Sequence, residues 1–162
     1  MKIINGNFKE IDYPVGDHIQ ENIPIINNMG IRIKSILIEK KLESDDQINL
    51  ICSGSSGAII SSIIATILYK DFKDVNIRHI KKDGESSHAA DNYKSHFYSS
   101  YFNGFNIIVD DFICSGDTMK RIFSKIRDDI QIDIIAISNI NNGCEKVINF
   151  FKEQKVKILL RD

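Results

Sequence analysis

The chain has 162 residues, a formal net charge of −1, 43% hydrophobic and 27% charged residues. Those proportions describe one soluble globular domain with a sizeable core, and they exclude wholesale disorder and a globally basic face, so a nucleic-acid partner is not expected. No apolar run approaches the roughly 18 residues of a membrane span, so no membrane partner is expected. The 33 isoleucines read mainly as core. Cys52, Cys114 and Cys144 lie far apart without a C-x-x-C pair, which argues against a disulfide framework or a zinc site. With no secretory apolar stretch after Lys2, a cytoplasmic setting is expected.

Taken in order, Met1–Ile11 alternates around Asn5-Gly6, a short hairpin signal, within a small N-terminal segment of about residues 1–26. After Pro24, Met29, Ile33, Ile36, Leu37 and Leu42 carry helical spacing. From Gln47 the pattern becomes strand and helix in alternation. Ile48–Cys52 is a strand, Ser53–Gly57 a loop, and Ile59–Leu68 a helix with a broad apolar face. Further strands are expected at Val75–Ile80, Phe105–Val109, Ile132–Ile137 and Val156–Leu160. Helices are expected around Met119–Ile130 and Cys144–Phe151. Such alternation predicts an α/β fold, a Rossmann-like parallel five-stranded sheet with helices on both faces, within one domain spanning 1–162 and a core of 47–160. Residues 81–104, poor in aliphatics and rich in Ser, His, Asn and Tyr, read as a long flexible lid.

The densest information is in 107–118. An apolar strand delivers Asp110 and Asp111 to the carboxyl edge of the sheet, where ligands bind in such folds. Small and polar residues then lead into a helix whose first amides can face an anion. Gly116 permits close backbone approach, and the hydroxyls of Ser115 and Thr118 add donors. Two acids beside a phosphate loop describe a site for a 5-phosphoribosyl group.

Asp110-Asp111-Phe112-Ile113-Cys114-Ser115-Gly116-Asp117-Thr118 resembles the signature of the type I phosphoribosyltransferases, and the resemblance extends over roughly Gln47–Leu160. It implies that Cys114, Ser115, Gly116, Asp117 and Thr118 hold the 5-phosphate of phosphoribosyl pyrophosphate, with Asp110 and Asp111 on the ribose hydroxyls. By the same resemblance Ser53, Gly54, Ser55, Ser56 and Gly57 form the pyrophosphate loop, here without the Arg that many members place there. Lys81 and Lys82 match a basic pair at the strand end, Lys82 in a catalytic role and Lys81 on pyrophosphate. His88 on the following loop is a further catalytic candidate, and that loop is closest in flavour to the orotate enzymes. The N-terminal segment takes the place of the family's hood. Asn139, Ile140 and Asn141, after the fourth core strand, are the base-binding candidates; a plain turn before a helix is the other reading there.

The implied reaction transfers the phosphoribosyl group to a nitrogenous base and releases pyrophosphate. Mg2+ is the implied cofactor, held mainly by the donor's oxygens with no certain protein ligand. The expected partners are the small molecules, and a homodimer is expected. The other reading is a non-catalytic regulator that uses the same site to sense the donor or a nucleotide.

Overall fold

The computed structural model describes residues 2–4, 19–81, 102–113, 115–126, 130–137, 139–140 and 149. Five strands, β1 (Lys2–Ile4), β2 (Gln47–Cys52), β3 (Asp74–His79), β4 (Phe105–Val109) and β6 (Ile134–Ala136), form one parallel sheet. Their order across it is β1-β6-β4-β2-β3. A second, two-stranded pair joins β5 (Phe112–Ile113) to β7 (Asn139–Ile140), also in parallel. The helices are α1 (Ile19–Glu39), α2 (Gly54–Leu68) and α3 (Asp117–Lys125).

Isoleucine-rich strands with helices on both faces need apolar side chains above and below, and the burial follows that alternation. Ile48, Leu50, Ile107, Val109 and Ile134 form one core with Ile26, Ile33 and Leu37 of α1 and Ile60, Ile64 and Leu68 of α2. Ile51, Ile108 and Ile135 point the other way and pack against Met119 and Ile122 of α3, with Ile80 and Phe102 in the same cluster. The helix after β2 thus covers one face and the helix after β4 the other. Because β2 and β4 are neighbours, their outgoing chains diverge at the carboxyl edge and leave a crevice between them.

A polar row crosses the opposite end of the sheet. Asn49 is in register with both Asn76 and Asn106. Its amide donates to Asn106 Oδ1 at 3.0 Å, and Arg78 Nε donates to Asn49 Oδ1 at 3.1 Å. Asn106 Nδ2 in turn donates to the carbonyls of Phe102, Gly104 and Gln131. Buried amides tolerate this position because their groups are paired, and a one-residue slip of either strand would leave them unpaired in the core.

Several boundaries differ from the sequence expectation. Lys2–Ile4, placed in a hairpin within the N-terminal segment, pairs in parallel with β6 as an outer strand of the main sheet. The fifth strand is therefore β1; Val156–Leu160, expected in that role, and the second arm of the hairpin lie outside the described residues, and of the helix expected at Cys144–Phe151 only Asn149 is described, as helix. Helix α1 starts before Pro24 and carries it in its second turn. Helix α3 ends at Lys125, where Ile126 turns extended and tucks into the core. Within the expected lid, 82–101 lie outside the described residues, but Phe102 is only 4% exposed and packs in the cluster that holds Ile80. Ile80 and Phe102, on either side of that segment, thus belong to one apolar cluster. No helix among the described residues is long and apolar enough to cross a membrane.

Candidate functional site

Strand β4 delivers Asp110 and Asp111 into the crevice. The Asp110 amide donates to the Ala136 carbonyl at 3.1 Å, so the strand's ladder persists up to the first acid. Pairing resumes at Phe112↔Asn139 with the same residue offset as Ile107↔Ile134. The ladder between β4 and β6 is therefore interrupted only around the acid pair, which is bracketed by pairing on both sides. The interruption frees the Asp111 amide from the strand direction, and it donates back to Asp110 Oδ1 at 3.0 Å.

Asp110 is 5% exposed, and burial raises its carboxyl to about 8, with the negative charge and acceptor oxygens of Asp111 reinforcing the shift. The positive charge of Arg121 acts in the opposite direction, by less. In the free protein the buried Asp110 side chain therefore favours its protonated form. Cys52, at the end of the adjacent strand, is fully buried, and its thiol is pushed up to about 11 by burial, with Asp110 adding to the effect. It stays a thiol near neutrality and is no nucleophile.

Two helices begin at this edge, each on a left-handed glycine: Gly54 at φ 83° opens α2 and Gly116 at φ 78° caps α3. Such a φ is strained for any residue with a Cβ, and glycine adopts it freely where the chain turns into each helix. The loop expected over Ser53–Gly57 is consequently shorter: Ser53 is the N-cap, and Gly54, Ser55, Ser56 and Gly57 are already the first turn of α2. Gly57 presses on the strand ends. A Cβ there would stand 3.1 Å from the Val109 carbonyl oxygen, 3.1 Å from Cys52 Cβ and 3.8 Å from Asp110 Oδ1. The first turn of α2 thus lies directly against the acid-bearing end of β4.

Of the residues expected on the 5-phosphate, Ser115 is exposed, Gly116 is buried and Thr118 is half-buried in the first turn of α3. The Ser115 hydroxyl donates to Asp117 Oδ2 at 2.7 Å, and the Asp117 amide donates to Ser115 Oγ at 3.3 Å, closing the turn ahead of the helix. Cys114 lies outside the described residues. Asn139 and Ile140 are not a loop: they form β7, so their backbone is committed to pairing with Phe112 and Ile113 beside the phosphate turn. Asn141, Lys82 and His88 lie outside the described residues, while Lys81 is exposed just beyond β3.

One residue of this edge was missed by the sequence reading. Arg121 of α3 donates from Nη1 to Ser53 Oγ at 3.3 Å, and Ser53 Oγ donates onward to the Ile80 carbonyl at 2.7 Å. The carboxyl ends of β2 and β3 and the helix after β4 are thereby tied by one chain of donors. The signal was available: Arg121 is four residues after Asp117 and three after Thr118, so it shares a helix face with the phosphate turn.

No family model matches the chain, and no curated protein matches it. Among solved structures, the chain is similar to a purine phosphoribosyltransferase from Pyrococcus horikoshii OT3, at 15% identity over 70% of each chain with a TM-score of 0.42. It is also similar to a hypoxanthine-guanine-xanthine phosphoribosyltransferase, at 14% identity over 70% of this chain and 76% of that one, with a TM-score of 0.40. Both neighbours are phosphoribosyltransferases. At that degree of overlap, the functional assignment rests on the residues of the site.

Proposed function

We propose that the chain transfers the 5-phosphoribosyl group of phosphoribosyl pyrophosphate to a nitrogenous base and releases pyrophosphate. The observation that carries this reading is the acid pair Asp110–Asp111 at the end of β4, set in the crevice where α2 and α3 begin on opposite faces of the sheet. The turn Ser115–Thr118 receives the 5-phosphate through first-turn amides and hydroxyls. The first turn of α2, with no acidic residue in it, receives the pyrophosphate. Between them the acids accept hydrogen bonds from the ribose hydroxyls. A ring nitrogen of the base forms its bond to C1 as the C1–oxygen bond to pyrophosphate breaks, and the positive charge that develops on the ribose is stabilised by the negative charge of the acid pair. Asp111, the more open of the two acids, offers a hard oxygen donor that would suit Mg2+ carried by the donor's phosphate oxygens. When bound, that ion neutralises charge on the leaving pyrophosphate. Lys82 and His88 are proposed to serve pyrophosphate and the closing of the site, and Asn139, Ile140 and Asn141 to border the base.

The test is pyrophosphate release from the donor with Mg2+ and a panel of acceptors that includes orotate, hypoxanthine, guanine and xanthine. Turnover with one of them is the expected result. Asp111→Asn should then lower turnover on the order of 10²–10³-fold, as loss of one electrostatic contact in a dry site does. Thr118→Ala should mainly weaken donor binding, since phosphate contact is similar in ground and transition states. Donor binding without release for any acceptor would favour the sensing role instead. Absence of donor binding would refute the assignment.

A further inference from the structure

We propose that Arg121 is the cation that binds the donor's pyrophosphate, supplied from α3 to a loop that carries no basic residue of its own. The inference rests on the phosphoribosyl reading of the site and adds to it a binding residue outside the motif. Ser53–Gly57 contains no Lys or Arg, so amides and hydroxyls alone would face a group bearing several negative charges. Ser53 makes no side-chain cap on α2, and its hydroxyl donates to the Ile80 carbonyl instead.

Arg121 supplies what that turn lacks. It reaches across from the opposite face of the sheet to place Nη1 3.3 Å from Ser53 Oγ, at the entrance to α2. Because Ser53 is the N-cap of α2, the guanidinium stands beside the first turn of that helix. A guanidinium has five N–H donors in a planar fork, more than the bond to Ser53 uses, and that fork matches two phosphate oxygens. Ser53 holds the guanidinium in place; the serine hydroxyl accepts from Arg121 while donating to Ile80, so a bond to either neighbour polarises the other. Arg121 comes from one turn beyond the residues placed on the 5-phosphate, so a single helix would carry groups for both ends of the donor.

The experiment is calorimetric titration of the full chain with two probes, magnesium pyrophosphate and ribose 5-phosphate. The second shares the 5-phosphate and ribose but lacks the pyrophosphate. Wild type should bind both. Arg121→Gln should weaken magnesium pyrophosphate by about tenfold or more, as loss of a charge-assisted contact does, while ribose 5-phosphate stays within about twofold. Arg121→Lys, which keeps charge but loses the fork, should fall between. If the Gln variant does not fold, the Lys variant decides by the same split between the two probes. Unchanged pyrophosphate binding, or equal weakening of both probes, would overturn the role of Arg121 and leave the phosphoribosyl assignment intact. Wild type that binds neither probe would overturn both.

Discussion

Replacing Asp110 by Asn gives a direct readout of the buried acid pair. The carboxyl is shifted from an ordinary 3.8 to about 8, first by burial and second by Asp111. Between those two pH values the folded chain holds a proton that the unfolded chain has released. Stability is therefore fully present below about pH 4 and declines as pH rises, by about 1.4 kcal/mol per unit, until the folded carboxyl ionises near pH 8. The accumulated loss is on the order of 5 kcal/mol, a ceiling that water entry and side-chain movement reduce. Asn keeps the shape and carries no charge at any pH. Urea denaturation of wild type and Asp110→Asn from pH 5 to 9 should show the variant gaining relative stability steadily with pH, and the gap levelling off above about pH 8. Asp133 is also raised by burial, but it is present in both proteins and cancels in the difference. A gap that is constant across the range would refute the claim that Asp110 is protonated in the free protein.

Asp111→Asn removes the neighbouring negative charge, so the levelling-off point measured against the double variant should move to lower pH. An unmoved point would mean that burial alone sets the shift. Gly57→Ala forces a methyl against the Val109 carbonyl and Cys52, and should cost about 1–3 kcal/mol in denaturation while slowing pyrophosphate release. Asn106→Ala strips partners from Asn49 and from three backbone carbonyls and should cost on the order of 3 kcal/mol, with an unchanged melting temperature refuting the importance of the polar row.

What the chain's sequence determined by itself was whatever depends on covalent neighbours. The apolar strand Phe105–Val109 ends where its isoleucines give way to two acids, and the bounds are the same in the structure. Gly54 and Gly116 mark turns because a left-handed φ is a property of one residue. The helix face of α2 could be read because its isoleucines repeat at three and four. Strand partners were not legible. Lys2–Ile4, expected as a hairpin arm, pairs instead with the edge that β6 offers it, and Asn139-Ile140, expected in a loop, pairs with Phe112-Ile113. Two properties of the site also belong to the tertiary structure. The proton on Asp110 follows from burial and from Asp111, and burial is set by α2 pressing Gly57 onto β4. The approach of Arg121 to Ser53 joins residues far apart in sequence and exists because α2 and α3 leave neighbouring strands on opposite faces of the sheet. Pattern along a chain records propensity and periodicity, whereas desolvation and charge proximity are set only when distant segments pack.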